Sequence, residues 1–293
     1  MNTTLTSTYA RAIGLDVPFA RPDARHEDAA RLTSEIATWF CEESGTIVPA
    51  AGTEAELRNL ITKLLTVRPP RAIPEDILQR LDRLLADEAR RRDVVAITDV
   101  LAGTGAAAVV AGTTIKVWRG DITRLAADVI VNAANSDLLG CFRPFHACID
   151  NVIHNAAGPR LRADCGRIMT LQGHAERTGS AKITRGYHLP ARYVLHTVGP
   201  IVGNGVLASE HQADLARCYE ACLELAASRA DVRSLAFCSI STGVFGYPKD
   251  EAAVVATRTV RAWLERHPAR FDAIVFDVFT PDDEAAYRAT ELR

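Results

Sequence analysis

An α/β fold, with a mostly parallel or mixed sheet covered by helices on both faces and a helical stretch ahead of it, is the class that this 293-residue chain predicts. Two observations carry the reading. After Thr113, short β-rich runs alternate with helical patterns, which is how a sheet layered between helices is encoded. Before Val94, the texture is helical and no strand pattern stands out.

The helical part has its own punctuation. Thr53 followed by Glu56 is a capping box, and it opens the amphipathic run Leu57, Leu60, Ile61, Leu64, Leu65. The breaker RPPRAIP, from Arg68 to Pro74, ends that helix. Pro74 then suits the first turn of the next, whose apolar residues Ile77, Leu78, Leu81, Leu84 and Leu85 share one face. These helices hold no candidate ligand or base, so stability or partner docking is their expected role. Val94 to Gly112 reads as a junction. The expected organisation is a helical extension over 1–112 and an α/β domain over 113–293.

In that second part, β-rich runs fall at Thr114–Trp118, Val129–Val131, Tyr193–Val198, Leu235–Ile240 and Ala273–Phe279. Helical patterns separate them, clearest at Ser209–Ala227 and Asp250–Glu265. In such folds ligands sit outside the carboxyl ends of the strands. Three unusual loops fall in that position.

The first is Gly120-Asp121-Ile122-Thr123. It is either a plain turn or a carboxylate placed to accept from an exocyclic amine such as that of adenine. The second begins Val131-Asn132-Ala133-Ala134-Asn135, whose two asparagines each offer a donor and an acceptor to sugar hydroxyls. It continues to Cys141-x4-His146-x-Cys148. That spacing is not a zinc finger's, and a buried Cys pair beside an incidental His is one reading. Soft thiolates with an imidazole suit zinc, and three local ligands rather than four would leave a position for water or substrate. Asp150 follows, either as the N-cap of the helix DNVIHNAAG or as a carboxylate beside the metal. His154, on that helix, is expected to be a satisfied structural histidine. The third loop is Ser241-Thr242-Gly243-Val244-Phe245-Gly246-Tyr247-Pro248. Its backbone N–H groups, ahead of a helix N-terminus, make a natural anion cradle.

Composition limits the alternatives. The formal net charge of −2 and pI near 6.5 give no basic footprint for nucleic acid. Val94 to Gly112, interrupted by Asp99 and threonines, is a poor membrane span. The N-terminus shows no secretory pattern. Seven cysteines without small-scaffold spacing fit a reducing compartment, so a cytoplasmic location is expected.

Together, GDIT, VNAAN, LLG…IDN.IH..AG, HTVGP (His196 to Pro200) and STGVFGYP resemble the macrodomain family, whose members bind ADP-ribose. The loop GCFRPFHACIDN resembles that of its zinc-containing, sirtuin-associated subclass. The resemblance implies a three-layer α/β/α macrodomain with a mixed central sheet, over residues 113 to 290 most strongly. The segment RNLITKLLTVRPPRAIPEDILQRLDRLL is similar to the helical extension of that subclass. The resemblance implies a hydrolase that removes mono-ADP-ribose, ester-linked to acidic side chains, from proteins, with one zinc ion per chain. A non-catalytic ADP-ribose reader and a hydrolase of small ADP-ribose esters are the rivals. A sirtuin-type ADP-ribosyltransferase and a lipoyl-carrier-like protein are implied as partners.

The resemblance also implies roles. Asp121, with the Ile122 backbone beside it, holds the adenine amine, and Phe279 stacks on the adenine. Asn132 and Asn135 line the distal ribose. Ser241, Thr242, Gly243, Val244, Phe245, Gly246 and Tyr247 cradle the diphosphate. Cys141, His146 and Cys148 hold zinc, and Asp150 with Asn135 serves catalysis. Arg162 to Arg185 match the family least and are the expected place for substrate choice.

Overall fold

The computed structural model describes residues 3–23, 29–49, 52–203 and 206–290. Its centre is a seven-stranded mixed sheet of order β2-β3-β9-β8-β5-β7-β6. The strands are β2 (Ala107–Val110), β3 (Thr113–Arg119), β5 (Val129–Ala134), β6 (Ala181–Arg185), β7 (Tyr193–Val198), β8 (Ser234–Phe237) and β9 (Ala273–Val278). β3, β9, β8, β5 and β7 run parallel, while β2 and β6 close the two edges antiparallel. A separate parallel pair joins β1 (Val95–Ala96) to β4 (Leu125–Ala126).

The central strands are buried along their whole length, every residue of β7 and β9 included. That requires cover on both faces. It comes from α5 (Ile97–Ala102), α6 (Ile149–Ala157), α7 (Pro159–Gln172), α8 (Ser209–Ala227), α9 (Lys249–Arg266) and α10 (Pro281–Ala289). One cluster runs from Ile115 and Val117 on β3 through Phe237 and Phe276 to Tyr219 on α8 and Trp263 on α9.

Before the sheet lie α1 (Thr3–Ala12), α2 (Ala29–Ser44), α3 (Glu54–Val67) and α4 (Glu75–Arg91). The capping box at Thr53 is formed, with Glu56 N donating to Thr53 Oγ1 at 3.3 Å and Thr53 N to Glu56 Oε2 at 2.8 Å. α2, α3 and α4 share a core of their own around Ile36, Phe40, Ile61, Leu81 and Leu85. α4 docks on the sheet domain through buried Asp82, which accepts from Arg160 Nε at 2.8 Å and from His188 Nε2 at 3.0 Å.

The elements differ from the sequence expectation in detail. The run from Val94 to Gly112 is not a structureless junction: it supplies β1, α5 and the edge strand β2, which lies ahead of residue 113. β5 runs on to Ala134, and β8 stops at Phe237, three residues short of Ile240. β6 has no counterpart among the expected strands. Its sequence AKITR carries two cations, yet Lys182 is buried because its ammonium pairs with Glu176.

Candidate active site

The strand order sets the layout of the site. β3, β9, β8 and β5 are consecutive neighbours and parallel, so their carboxyl ends stand in a row. With strands about 4.8 Å apart, three spacings span ~14 Å, the scale of a dinucleotide-like ligand. The loops that leave those four ends carry, in order, Asp121, Phe279, the Ser241 loop, and Asn132 with Asn135.

At the first end, Asp121 caps a short 3-10 turn over Ile122–Arg124. Its Oδ1 accepts from Thr123 N at 2.9 Å and from Thr123 Oγ1 at 2.6 Å, which fixes the carboxylate and leaves Oδ2 to face outward partners. Ile122 is buried beneath it. Phe279 follows β9 and is 78% exposed, so it is no core aromatic but an open ring face. Between them lies a residue that the sequence pattern does not reveal. Asp277 is buried on β9, and burial together with the Asp121 charge raises its carboxyl well above the usual range.

The Ser241 loop is bent by backbone conformation. Ser241 has φ of +66° and Gly246 +71°, and Tyr247 N closes the turn on Ser241 O at 3.0 Å. Among the described residues, the N–H groups of Thr242, Gly243, Val244 and Phe245 make no hydrogen bond. Ser241 is buried with its Oγ also unpartnered. Unpaired donors at the start of the 18-residue helix α9 form an anion-binding concavity.

At the β5 end, Asn132 is fully buried and shares its two amide hydrogens. Nδ2 donates to Asp150 Oδ1 at 2.7 Å and to His196 Nδ1 at 3.1 Å. His196 therefore carries its proton on Nε2 and gives it to Thr184 Oγ1, 2.9 Å away. Asn135 Nδ2 reaches Gly140 O at 3.0 Å and Asp150 Oδ2 at 3.4 Å. Asp150 is not the N-cap of α6; that position is Cys148, which makes no side-chain cap. Asp150 points inward instead, 5% exposed, and burial pushes its pKa up to about 6 against the opposing pull of Asn132 and Arg162.

Cys141, His146 and Cys148 converge, their donor atoms all within 4.8 Å of one another, with Cys141 Sγ 3.5 Å from His146 Nδ1. Burial, Cys141 and Asp150 hold the Cys148 thiol up at about 11. Crowded sulfurs beside a carboxylate are the environment that a cation relieves, and the S, N, S donor set suits zinc. The residues present fit one zinc ion.

A second group, His154, Cys165 and His196, is fully buried with donor atoms equally close. Burial lowers His196 to about 3 and raises the Cys165 thiol, and His196 is already hydrogen-bonded on both nitrogens. This group is packing beneath the site. His154 departs from expectation: neither ring nitrogen has a hydrogen-bond partner, and its Nε2 stands 3.5 Å from Asp150 Oδ1.

The loop is also held from behind. Asn151 Nδ2 donates to His146 O at 2.9 Å, Asn155 Nδ2 to Asn151 Oδ1 at 3.2 Å, and Thr66 Oγ1 on α3 to Asn155 Oδ1 at 3.4 Å. Arg162 donates from one nitrogen to the carbonyls of Leu65, Thr66 and Arg68 at 2.7, 3.0 and 2.9 Å. The same guanidinium lies over the Phe142 ring, 4.8 Å from its centroid. Thr66, Asn155 and Arg162 carry no sequence signal, because such residues in a helix are ordinary until their partners are known, whereas Asn151 belongs to the IDN motif.

Comparison with known proteins identifies the family. Residues 131–256 match the Macro domain family. The chain is 46% identical over 234 residues to a protein of Treponema medium named protein-ADP-ribose hydrolase, covering 80% of this chain and 87% of the relative. The chain belongs to the macrodomain family. A Staphylococcus aureus relative of the same name is 43% identical over 233 residues, covering 80% and 84%. Among solved structures, the Oceanobacillus iheyensis macrodomain with ADP is 37% identical with a TM-score of 0.56, covering 62% of this chain and 91% of that one. The Trypanosoma brucei macrodomain in complex with ADP-ribose is 31% identical with a TM-score of 0.59, covering 78% and 94%. The expected macrodomain fold with a mixed sheet is what the structure has. Among the described residues, no helix is long and apolar enough to cross a membrane.

Proposed function

We propose that this macrodomain hydrolyses the bond between the distal ribose of ADP-ribose and a protein side chain, an ester to a carboxylate. The observation that carries the reading is Asp150: a buried carboxyl, positioned by Asn132 and Asn135, two residues from a three-donor metal cluster. A module that only reads ADP-ribose has no need for a carboxyl held away from water at a cost in ionisation.

Asp121 accepts the adenine amine on its outward oxygen, with the Ile122 backbone beside it, and Phe279 stacks on the ring. The N–H groups from Thr242 to Phe245 hold the diphosphate, within the loop from Ser241 to Tyr247. Asn135 and the β5 end face the distal ribose. Cys141, His146 and Cys148 would hold one zinc ion, which would supply Lewis-acid polarisation of an oxygen at the reacting end. Asp150 orients the attacking water. The anomeric C–O bond breaks, the carboxylate leaves with the bonding pair, and water supplies the new oxygen, with one proton released at neutral pH. A sirtuin-type transferase and a lipoyl-carrier-like protein as the source of substrate rest on the sequence resemblance, and a cytoplasmic location rests on the cysteine usage.

The test is incubation of the protein with a mono-ADP-ribosylated protein and, in parallel, with a small acetylated ADP-ribose ester. Release from the protein at the higher kcat/KM supports the reading. Faster turnover of the small ester assigns the site to that substrate instead, and binding without release from either makes the chain a reader.

A further inference from the structure

A cavity of about 800 Å3 opens at the seam between the helical extension and the sheet domain. Its walls are the end of α3, the linker from Arg68 to Ile73 and the face of α4 on one side, with α6, α7 and Tyr187 on the other. No residue of the Asp121, Cys141 or Ser241 loops lines it, and it meets the site already described only through His154 and Arg162 in its inner wall. Its size lies in the range of sites for small molecules, about 300 to 1,000 Å3.

The wall is strongly cationic in a chain whose formal net charge is −2: seven arginines line it against two carboxylates, Glu75 and Asp164. Four of the arginines have acidic partners, Arg58 with Glu88, Arg68 with Glu43, Arg160 with Asp82 and Arg185 with Asp164. Arg71 and Arg167 make no salt bridge among the described residues, and each only feels a carboxylate from further off, Glu43 and Asp164 respectively. Both are exposed, and Arg167 gives one N–H to Ala12 O at 2.9 Å. The inner wall holds a second kind of unmet demand. Arg162 Nε, Arg185 Nε and both nitrogens of His154 are buried and have no hydrogen-bond partner. Arg162 Nε and Arg185 Nε are donors that an anionic acceptor in the cavity would satisfy, and the neutral His154 ring offers one more. A concave wall with excess positive charge also concentrates anions more strongly than a flat one.

We propose that this seam cavity binds a small organic molecule carrying two or more phosphate charges, with Arg71 and Arg167 as its outer cations. Enclosure between two layers favours such a ligand over an acidic peptide, which needs an open groove. The apolar surface of Pro69, Pro70 and Leu78 gives its organic body somewhere to rest. The proposal does not depend on what the chain hydrolyses.

The experiment is calorimetry on the full chain with fructose 1,6-bisphosphate as the probe, in saturating ADP-ribose so that the diphosphate cradle is already filled. The expected result is one site per chain, weakened at least ten-fold in Arg71→Ala/Arg167→Ala and weakened by added salt, with ADP-ribose affinity unchanged in that variant. Both arginines are exposed, so their loss leaves the fold intact, which the melting temperature checks. No binding of the bisphosphate, or equal binding by the double variant, overturns the proposal. So does binding of an oligo-glutamate peptide in its place, which would make the seam a protein-docking surface.

Discussion

Asn132 donates to Asp150 at 2.7 Å across the gap between β5 and α6, so the candidate catalytic carboxyl is oriented by the strand rather than by its own helix. Replacing Asn132 by Ala leaves Asp150 buried with one donor fewer. Turnover is expected to fall well before ADP-ribose affinity does, with a stability loss of about 1–3 kcal/mol. Kinetics and calorimetry on one preparation check it. Affinity falling in step with turnover would mean that Asn132 serves binding alone.

The pH dependence of stability follows from the same carboxyl. Its pKa in the folded state is pushed up to about 6 from 3.8, so the native state holds the proton more tightly than the unfolded one. The stabilisation is complete below about pH 4 and is lost as pH rises through about 6, amounting to roughly 3 kcal/mol. Buried Asp277 is shifted the same way, so the informative quantity is a difference between proteins. Urea unfolding of the metal-free wild type should weaken more between pH 4 and 7 than that of Asp150→Asn. Identical slopes would refute the assignment.

Asp121 and Phe279 separate binding from folding. Phe279→Ala, at a position 78% exposed, should leave the melting temperature in place and weaken ADP-ribose binding. Asp121→Ala should weaken binding by ~1.5–3 kcal/mol. It should also cost about 1 kcal/mol of stability, because the Thr123 cap goes with it. Unchanged affinity in both variants would show that the adenine end is misplaced.

Much of this was legible in the sequence because loops at strand ends carry short, compositionally odd motifs. GDIT and VNAAN lie at the ends of β3 and β5, the Cys/His loop and STGVFGYP lie in the connections from β5 to α6 and from β8 to α9, and the alternation of strand and helix orders them. What was not legible depends on distant partners. β6 is hidden by Lys182, whose burial is bought by Glu176. His154 looks like any helical histidine until its lack of partners is seen, and Asp150 looks like an N-cap until it turns inward. The extension reads as inert because its contribution is backbone: the carbonyls of Leu65, Thr66 and Arg68, which hold Arg162 under the metal loop.

That contact gives a further prediction. Arg162→Met strips three carbonyls of their donor and removes the cation from over Phe142, and should destabilise the protein by about 3 kcal/mol. At a temperature where the variant is folded, kcat should drop with KM for the modified protein little changed, and Arg162→Lys should restore part of it. Full activity in folded Arg162→Met would show that the extension does not position the loop.

The central claim is that Cys141, His146 and Cys148 hold a zinc ion needed for hydrolysis and not for ADP-ribose binding. Losing one of three ligands leaves too weak a site to retain zinc, while the diphosphate loop follows the neighbouring strand β8 and the adenine contacts lie two and three strands away, at β9 and β3. The deciding measurement is release of ADP-ribose from a mono-ADP-ribosylated protein by wild type and Cys148→Ser, with zinc content and ADP-ribose affinity taken on the same preparations. The account predicts about one zinc and turnover in the wild type, and little zinc and little turnover with near-native affinity in the variant. Full turnover by a folded, zinc-free Cys148→Ser protein would contradict it.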